Sequence, residues 1–313
     1  MNFDYYQDLF NEWCSNIPPY DPDKSQGQGI VTCCGSREDI KIATYVLLRL
    51  LQYYDIELPV EIWQFDFEED SWWTSLFESL GATVKSTSKE PQSYNTKQII
   101  GWVLKTKALI ESGFEDILFL DADVIPLQNP LWMIDFMKKN DLDVFFPGVR
   151  LFQQHAGQKK GFGAIRHITG TLPRYLFETG EIALNKRRAW YAINNARFFD
   201  VYADFFYRYI RGDKDSMLMG YLLTDTSWQW GATSRLELLE HGFMYYDEND
   251  KELFCHRASE KAKLGLTYFN YYVMNDDIAN LCEMYLAELR KKLYESSYYS
   301  QREEIQHLGG TCS

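Results

Sequence analysis

The feature that most constrains the fold is an alternation of short apolar runs with helix-period segments through the first half of the chain. Gly29–Cys34 (GIVTCC), Leu58–Phe65 (LPVEIWQF) and Asp116–Leu120 (DILFL) read as buried strands. After the first, apolar Ile40, Ala43, Leu47, Leu50 and Tyr54 keep helical spacing, with Ser36 as the expected cap and Glu38 and Asp39 in the first turn. Glu68–Leu80 reads as a second helix closing at Gly81, and Thr96–Ser112 as a third stopped by Gly113. Strands separated by helices join through right-handed crossovers. The expectation is therefore an α/β fold with a mixed, mostly parallel sheet flanked by helices.

The second half is less regular. Leu142–Phe146, Glu181–Asn185 and Leu253–His256 read as strands, Arg187–Tyr209 as an aromatic helix and Asn275–Tyr294 as a closing helix. In that last helix Ile278, Leu281, Tyr285, Leu289 and Leu293 share one face. Gly148–Pro173 has little periodicity; Gly157, Gly161, Gly163 and Gly170 with Lys159, Lys160 and Arg166 make it a candidate flexible, basic flap. The clusters Trp72-Trp73, Phe205-Phe206-Tyr207, Trp228/Trp230 and Tyr271-Tyr272 are expected in the core, where most aromatics lie. No repeat or linker divides the chain, so a single domain over 1–313 is expected.

Composition narrows the function classes. A chain of 313 residues, 46% of them hydrophobic, can bury a core without disulfide or metal staples. The net charge of −13 and a pI near 4.9 work against long polyanions and anionic membranes, so nucleic acid is disfavoured though a local basic groove leaves it open. The longest apolar stretch, around Ile42–Leu51, is interrupted by Arg49, so no transmembrane segment is expected. The acidic, aromatic start Met1-Asn2-Phe3-Asp4 does not read as a secretory signal. The six cysteines form no CxxC, Cys33 and Cys34 are adjacent, and no Asn-X-Ser/Thr occurs. Reduced thiols and a cytoplasmic location are the expectation.

The chemistry concentrates at Asp121-Ala122-Asp123, directly after Ile117–Leu120. In open α/β sheets ligands bind outside the carboxyl ends of strands. An Asp-X-Asp pair there can turn its oxygens toward one hard cation, Mg²⁺ or Mn²⁺, and so neutralise a diphosphate. A solvated turn is the competing reading. The apolar continuation Val124–Pro130 favours the cation site, because it holds the pair in a stiff turn.

Several ordered islands carry a family resemblance. Gly29–Cys34, Leu58–Trp63, Lys105–Asp123 (KTKALIESGFEDILFLDAD), Asn129-Pro130, Glu178–Ile182, Asn185–Trp190 and Gly212–Asp215 together resemble nucleotide-sugar glycosyltransferases of the GT-A (Rossmann-like) fold. The likeness is to the fungal α-mannosyltransferases, including the α-1,3-mannosyltransferases, with glycogenin-like enzymes as relatives by mechanism. It implies a metal-dependent, retaining hexosyltransferase using a GDP- or UDP-linked sugar as donor and a glycan or small sugar as acceptor. It implies that 29–147 forms the nucleotide-sugar half, 148–274 the acceptor side and 275–313 a helix and tail. Carried over, Asp121 and Asp123 (the DXD motif) hold the metal with His256 as third ligand. Thr32, Cys33, Gly35, Asp66, Lys105, Ala122, Thr179, Gly180 and Lys261 line the donor, Gly180 by leaving room for a donor hydroxyl. Asp213, Asp215 and Glu178 face the reacting sugars, with Lys214 turned away if that segment is extended and Asp215 alternatively a helix initiator. Lys107 reads as a solvated helix residue, and His155, His167, His241 and His307 as ordinary loop or tail histidines. Gly148 departs from the acidic residue usual in the family, which bears on donor or acceptor identity.

Three alternatives stay open at this stage. A sugar nucleotidyltransferase shares the fold class, but would want a glycine-rich basic loop where Cys33–Arg37 stands. A non-enzymatic carbohydrate-binding protein would need no metal triad. A glycosyltransferase acting on modified DNA bases could use Lys186-Arg187-Arg188 and the flap. Salt separates the acceptors. A DNA acceptor loses affinity with a log–log slope of about −0.9 per phosphate neutralised. The expected outcome here is acceptor binding that is nearly flat between low and moderate salt, measured by fluorescence or calorimetric titration.

Overall fold

The computed structural model describes residues 3–88, 97–151, 170, 175–210, 212–224, 228–230, 235–239, 242–257 and 275–296. The strands are β1 (Gln28–Cys33), β2 (Val60–Phe65), β3 (Ala82–Thr87), β4 (Asp116–Leu120), β5 (Val124–Pro126), β6 (Val144–Phe146), β7 (Val149–Leu151), β8 (Tyr175–Phe177), β9 (Glu181–Asn185), β10 (Trp228–Trp230), β11 (Arg235–Leu239), β12 (Gly242–Tyr246) and β13 (Glu252–His256). The helices are α1 (Phe3–Asn16), α2 (Glu38–Tyr53), α3 (Ser71–Ser79), α4 (Lys97–Glu111), α5 (Trp132–Lys139), α6 (Lys186–Val201), α7 (Ala203–Phe206), α8 (Gly212–Leu222) and α9 (Asp276–Glu295).

Seven strands form the main sheet in the order β10-β6-β9-β4-β1-β2-β3. The pairings β1–β2, β2–β3, β1–β4 and β10–β6 are parallel, as the strand–helix alternation requires. β9 alone is reversed and runs antiparallel to both β4 and β6. A second, antiparallel sheet has the order β11-β12-β13-β5. The strand period of two sorts the core. Ile30, Leu118, Leu120 and Ala183 pack with Leu47 and Met133 on one face. Val31, Ile117, Phe119, Ile182 and Leu184 pack with Ala108, Ile193 and Met217 on the other. Trp73 is fully buried with α2 and α9, as expected of the aromatic clusters, and Phe206 likewise lies in the core. The side chains of Trp228 and Trp230, and all of Tyr271 and Tyr272, lie outside the described residues.

Several boundaries differ from the sequence expectations. Ser36 does not cap α2: Arg37 occupies that position without a side-chain bond, and the Ser36 N–H donates to Glu68 Oε1 at 3.1 Å. The second helix starts at Ser71, capped by Asp70, because residues 66–68 form a 3₁₀ turn. β3, β5 and α5 went unforeseen. The long helix after Asn185 ends at Val201 and is followed by the short α7. Most of the expected flap, residues 152–169 and 171–173, lies outside the described residues; its flanks pair as the antiparallel ladder β7–β8. Among the described residues, no helix is long and apolar enough to cross a membrane.

On the β9 side of the sheet, α6 and α8 pack backbone to backbone. A Cβ on Gly220 would lie 2.3 Å from the Ala192 carbonyl oxygen and 2.7 Å from the Ala196 nitrogen. Gly220→Ala must therefore spread two helices, and we expect a loss of about 1–3 kcal/mol in urea unfolding.

The same layer contains a buried acid. Asp200 accepts from Thr106 Oγ1 at 2.6 Å and from the Tyr207 hydroxyl at 2.7 Å, tying α6 to α4. Burial pushes its carboxyl up to about 7, against the opposing pull of Thr106 and Arg197. A carboxyl whose folded pKa is raised binds its proton more tightly in the folded chain, so its contribution to stability is full below the unfolded value and is lost as pH rises toward 7. Asp200→Asn should therefore flatten the fall in stability between pH 4.5 and 7.5, compared with wild type in paired urea titrations.

Candidate metal and donor site

The first half of the site is a turn between two strands of different sheets. β4 ends at Leu120, and β5 begins at Val124 in the second sheet. Three backbone bonds fix the turn: the Asp121 N–H donates to the Gly180 carbonyl at 2.7 Å, Val124 N–H to Asp121 at 3.0 Å, and Arg257 N–H to Asp123 at 3.2 Å. Ala122 is buried in it, and Asp123 is only 3% exposed.

β5 also brings in the histidine. It pairs antiparallel with β13, in a register that sets Val124 opposite His256. One ligand atom from each of Asp121, Asp123 and His256 lies within 4.8 Å of the others. His256 Nε2 stands 3.8 Å from Asp123 Oδ1, too far for a hydrogen bond. Two carboxylates and one imidazole suit a divalent ion with oxygen preference, the imidazole moving the balance toward Mn²⁺. The residues present therefore fit the expected metal.

A buried lysine organises the rest. Lys105, on α4, is 3% exposed. Its ammonium donates to the Thr179 carbonyl at 2.7 Å, to Thr179 Oγ1 at 3.2 Å and to Asp121 Oδ2 at 3.1 Å, and it also pairs with Asp213. Burial opposes its charge, but Asp121 and Asp213 outweigh that and hold it above its ordinary value. The Thr179 hydroxyl in turn donates to Asp213 Oδ2 at 3.0 Å. So Lys105, Asp121, Thr179 and Asp213, foreseen separately, form one bonded cluster. Lys107, expected in solvent, is mostly enclosed and pairs with Glu111 at 3.0 Å.

Asp213 and Asp215 are not on an extended segment. Both are buried in the first turn of α8, where acids suit the helix dipole. Lys214 was expected to turn away only if the segment were extended; in the helix it turns toward the site and pairs with Glu178 at 3.3 Å. Glu178 and Thr179 lie between β8 and β9, beside the Asp121 turn.

The nucleoside-side candidates line the ends of β1 and β2. Thr32 is fully enclosed, and its hydroxyl has no hydrogen-bond partner among the described residues. Cys33 borders the cluster; burial first, then the Asp121 charge, raise its thiol well above its ordinary value. A Cβ on Gly35 would meet Glu68 at 3.4 Å, and Asp66 accepts the Phe67 N–H at 2.8 Å. Lys261 and the other four histidines lie outside the described residues.

Two glycines are explained by neighbours instead of by ligands. A Cβ on Gly180 would sit 2.4 Å from His256 Cε1, so the room expected for a donor hydroxyl is filled by the imidazole. A Cβ on Gly148 would sit 2.1 Å from the Tyr245 ring, so no acidic side chain fits there.

Sequence reasoning missed Glu181. It is fully buried at the start of β9, and its Oε1 lies 3.7 Å from His256 Nδ1. Burial, then the charges of Asp121 and Glu178, push its carboxyl well above the usual range. The signal available was an acid opening an otherwise apolar strand, EIALN.

Comparisons with known proteins bear on the fold. Residues 27–140 match a family model described as "Mannosyltransferase putative". The α-1,2-mannosyltransferase MNN24 of Candida albicans (strain SC5314) is 22% identical over 256 residues, which cover 68% of this chain and 36% of MNN24. The chain thus spans about a third of that relative's length. Among solved structures, an active-site mutant of LgtC superposes with a TM-score of 0.53 at 13% identity, covering 82% of this chain and 96% of LgtC. The mannosyltransferase Ktr4p from S. cerevisiae, in complex with GDP, gives a TM-score of 0.46 at 10% identity, covering 77% and 80%. The chain has the GT-A fold of nucleotide-sugar glycosyltransferases and resembles the fungal mannosyltransferases.

Proposed function

We propose that this chain is a metal-dependent glycosyltransferase that moves a hexose from a nucleotide diphosphate sugar to a glycan hydroxyl. One observation carries the reading: Asp121, Asp123 and His256, from two sheets, converge at the carboxyl end of β4 beside a lysine already bound to Asp121. Mannose is the favoured hexose, because the matched family and MNN24 are both named for it; GDP or UDP is the carrier. The LgtC likeness supports the fold that such a donor site needs.

Asp121, Asp123 and His256 would hold Mn²⁺ or Mg²⁺, which when bound supplies charge to offset the departing diphosphate. The chain's own groups do the remaining work. Lys105 fixes Asp121 and Asp213 relative to each other. Asp213 and Glu178 offer carboxylates to sugar hydroxyls, and Lys214 keeps Glu178 from swinging away. Asp215, in the same helical turn, is the further candidate at the acceptor side. Catalysis then rests on positioning and charge stabilisation, with retention of configuration as the family resemblance implies.

Nucleotide release, measured across GDP- and UDP-sugars with and without metal, tests the reading. Chelator should stop release and Mn²⁺ should restore it. Asp123→Ala should lower transfer about a hundred- to a thousandfold, the range set by losing charge stabilisation at a reacting centre. Its unfolding midpoint should stay close to wild type. Undiminished transfer by that variant, or by chelated enzyme, would refute the metal assignment.

A further inference from the structure

We infer that Glu181 is a positioning residue for His256: its buried carboxyl oxygen accepts a hydrogen bond from Nδ1–H and so turns Nε2 toward Asp121 and Asp123. The inference rests on the metal reading above and extends it to a residue outside the ligand set.

Four observations support it. Glu181 is 0% exposed, and neither carboxylate oxygen has a hydrogen-bond partner among the described residues. A buried carboxylate without partners is costly, so such a group needs a reason to be there. The imidazole faces it: Nδ1 is 3.7 Å from Glu181 Oε1, and it too has no hydrogen-bond partner among the described residues. A closing of about 1 Å makes this an ordinary hydrogen bond. Two neighbours confine the ring. A Cβ on Gly180 would lie 2.5 Å from Nδ1, so the bare glycine backbone forms one wall, while the Phe243 ring meets the imidazole edge to face at 5.9 Å. The other nitrogen, Nε2, is the one directed to Asp123.

The register of β9 makes the arrangement a unit. Glu181 pairs with Leu120, the residue before Asp121, and the Gly180 carbonyl takes the Asp121 N–H. One dipeptide therefore sets the height of Asp121, leaves space for His256 and presents the acceptor for its second nitrogen. A histidine ligand binds through one nitrogen while the other donates to a carboxylate or carbonyl, which fixes tautomer and ring orientation.

Two variants and two readouts test this. Nitrogen-15 NMR of the metal-free protein, with His256 assigned by difference against His256→Asn, reports the tautomer. Calorimetric titration with Mn²⁺ alone reports the site. Wild type should hold His256 with the proton on Nδ1, and Glu181→Gln, whose amide oxygen still accepts, should keep that tautomer and bind Mn²⁺ within about threefold. Glu181→Leu should lose the single tautomer and bind Mn²⁺ about 10–100-fold more weakly. If Glu181→Leu fails to fold, wild type and Glu181→Gln still decide. A wild-type proton on Nε2, a Glu181→Gln variant that loses the Nδ1 proton, or a Glu181→Leu variant with wild-type tautomer and Mn²⁺ affinity, overturns the inference. Wild type with the Nδ1 tautomer but no Mn²⁺ binding would support the Glu181–His256 pairing while refuting the metal reading.

Discussion

An ammonium group sealed inside a protein costs several kcal/mol unless its surroundings replace the water it has lost. Lys105 meets that condition with groups from three distant stretches: Asp121 after β4, Thr179 before β9 and Asp213 in the first turn of α8. No one of these segments is held by local sequence alone. The lysine therefore couples assembly of the site to docking of α4 and α8 on the sheet. That one ammonium holds both Asp121 and Asp213.

The second constraint is the crossing from one sheet to the other. β4 belongs to the main sheet and β5 to the smaller one, so Asp121-Ala122-Asp123 is the seam between them. Because β13 pairs with β5, the histidine is delivered by strand register and not by a loop. The imidazole then sits on a strand, and the two carboxylates in a three-residue turn held by a strand at each end.

Much of this was legible in the sequence wherever local pattern and tertiary role coincide. β4 and β9 are apolar enough to be read at their true boundaries, and Asp121 and Asp123 follow from where β4 ends. β3 was invisible because it lies at the sheet edge, where ATVKST alternates with solvent and offers no apolar run. β5 was invisible because three residues carry no period, and its partner is β13, far along the chain. The direction of Lys214 stayed open because an extended segment and the first turn of a helix place alternate residues differently. Glu181 escaped notice because its meaning lies wholly in a neighbour from another sheet. The bare Cα of Gly180 was legible as a space but not as the space that His256 occupies.

The antiparallel course of β9 decides where such a chain can change length. Leu151 pairs with Tyr175 at the far end of the β7–β8 ladder. Residues can be gained or lost between those two positions while Glu178 and Thr179 stay where they are. Across Gly180 and Glu181 no such freedom exists. One inserted residue there would shift the ladder with β4 by a step, turn every following side chain to the opposite face and leave the imidazole without its wall. Divergent copies of this protein are thus free to grow at the ladder's far end and are held to a fixed count only a few residues later.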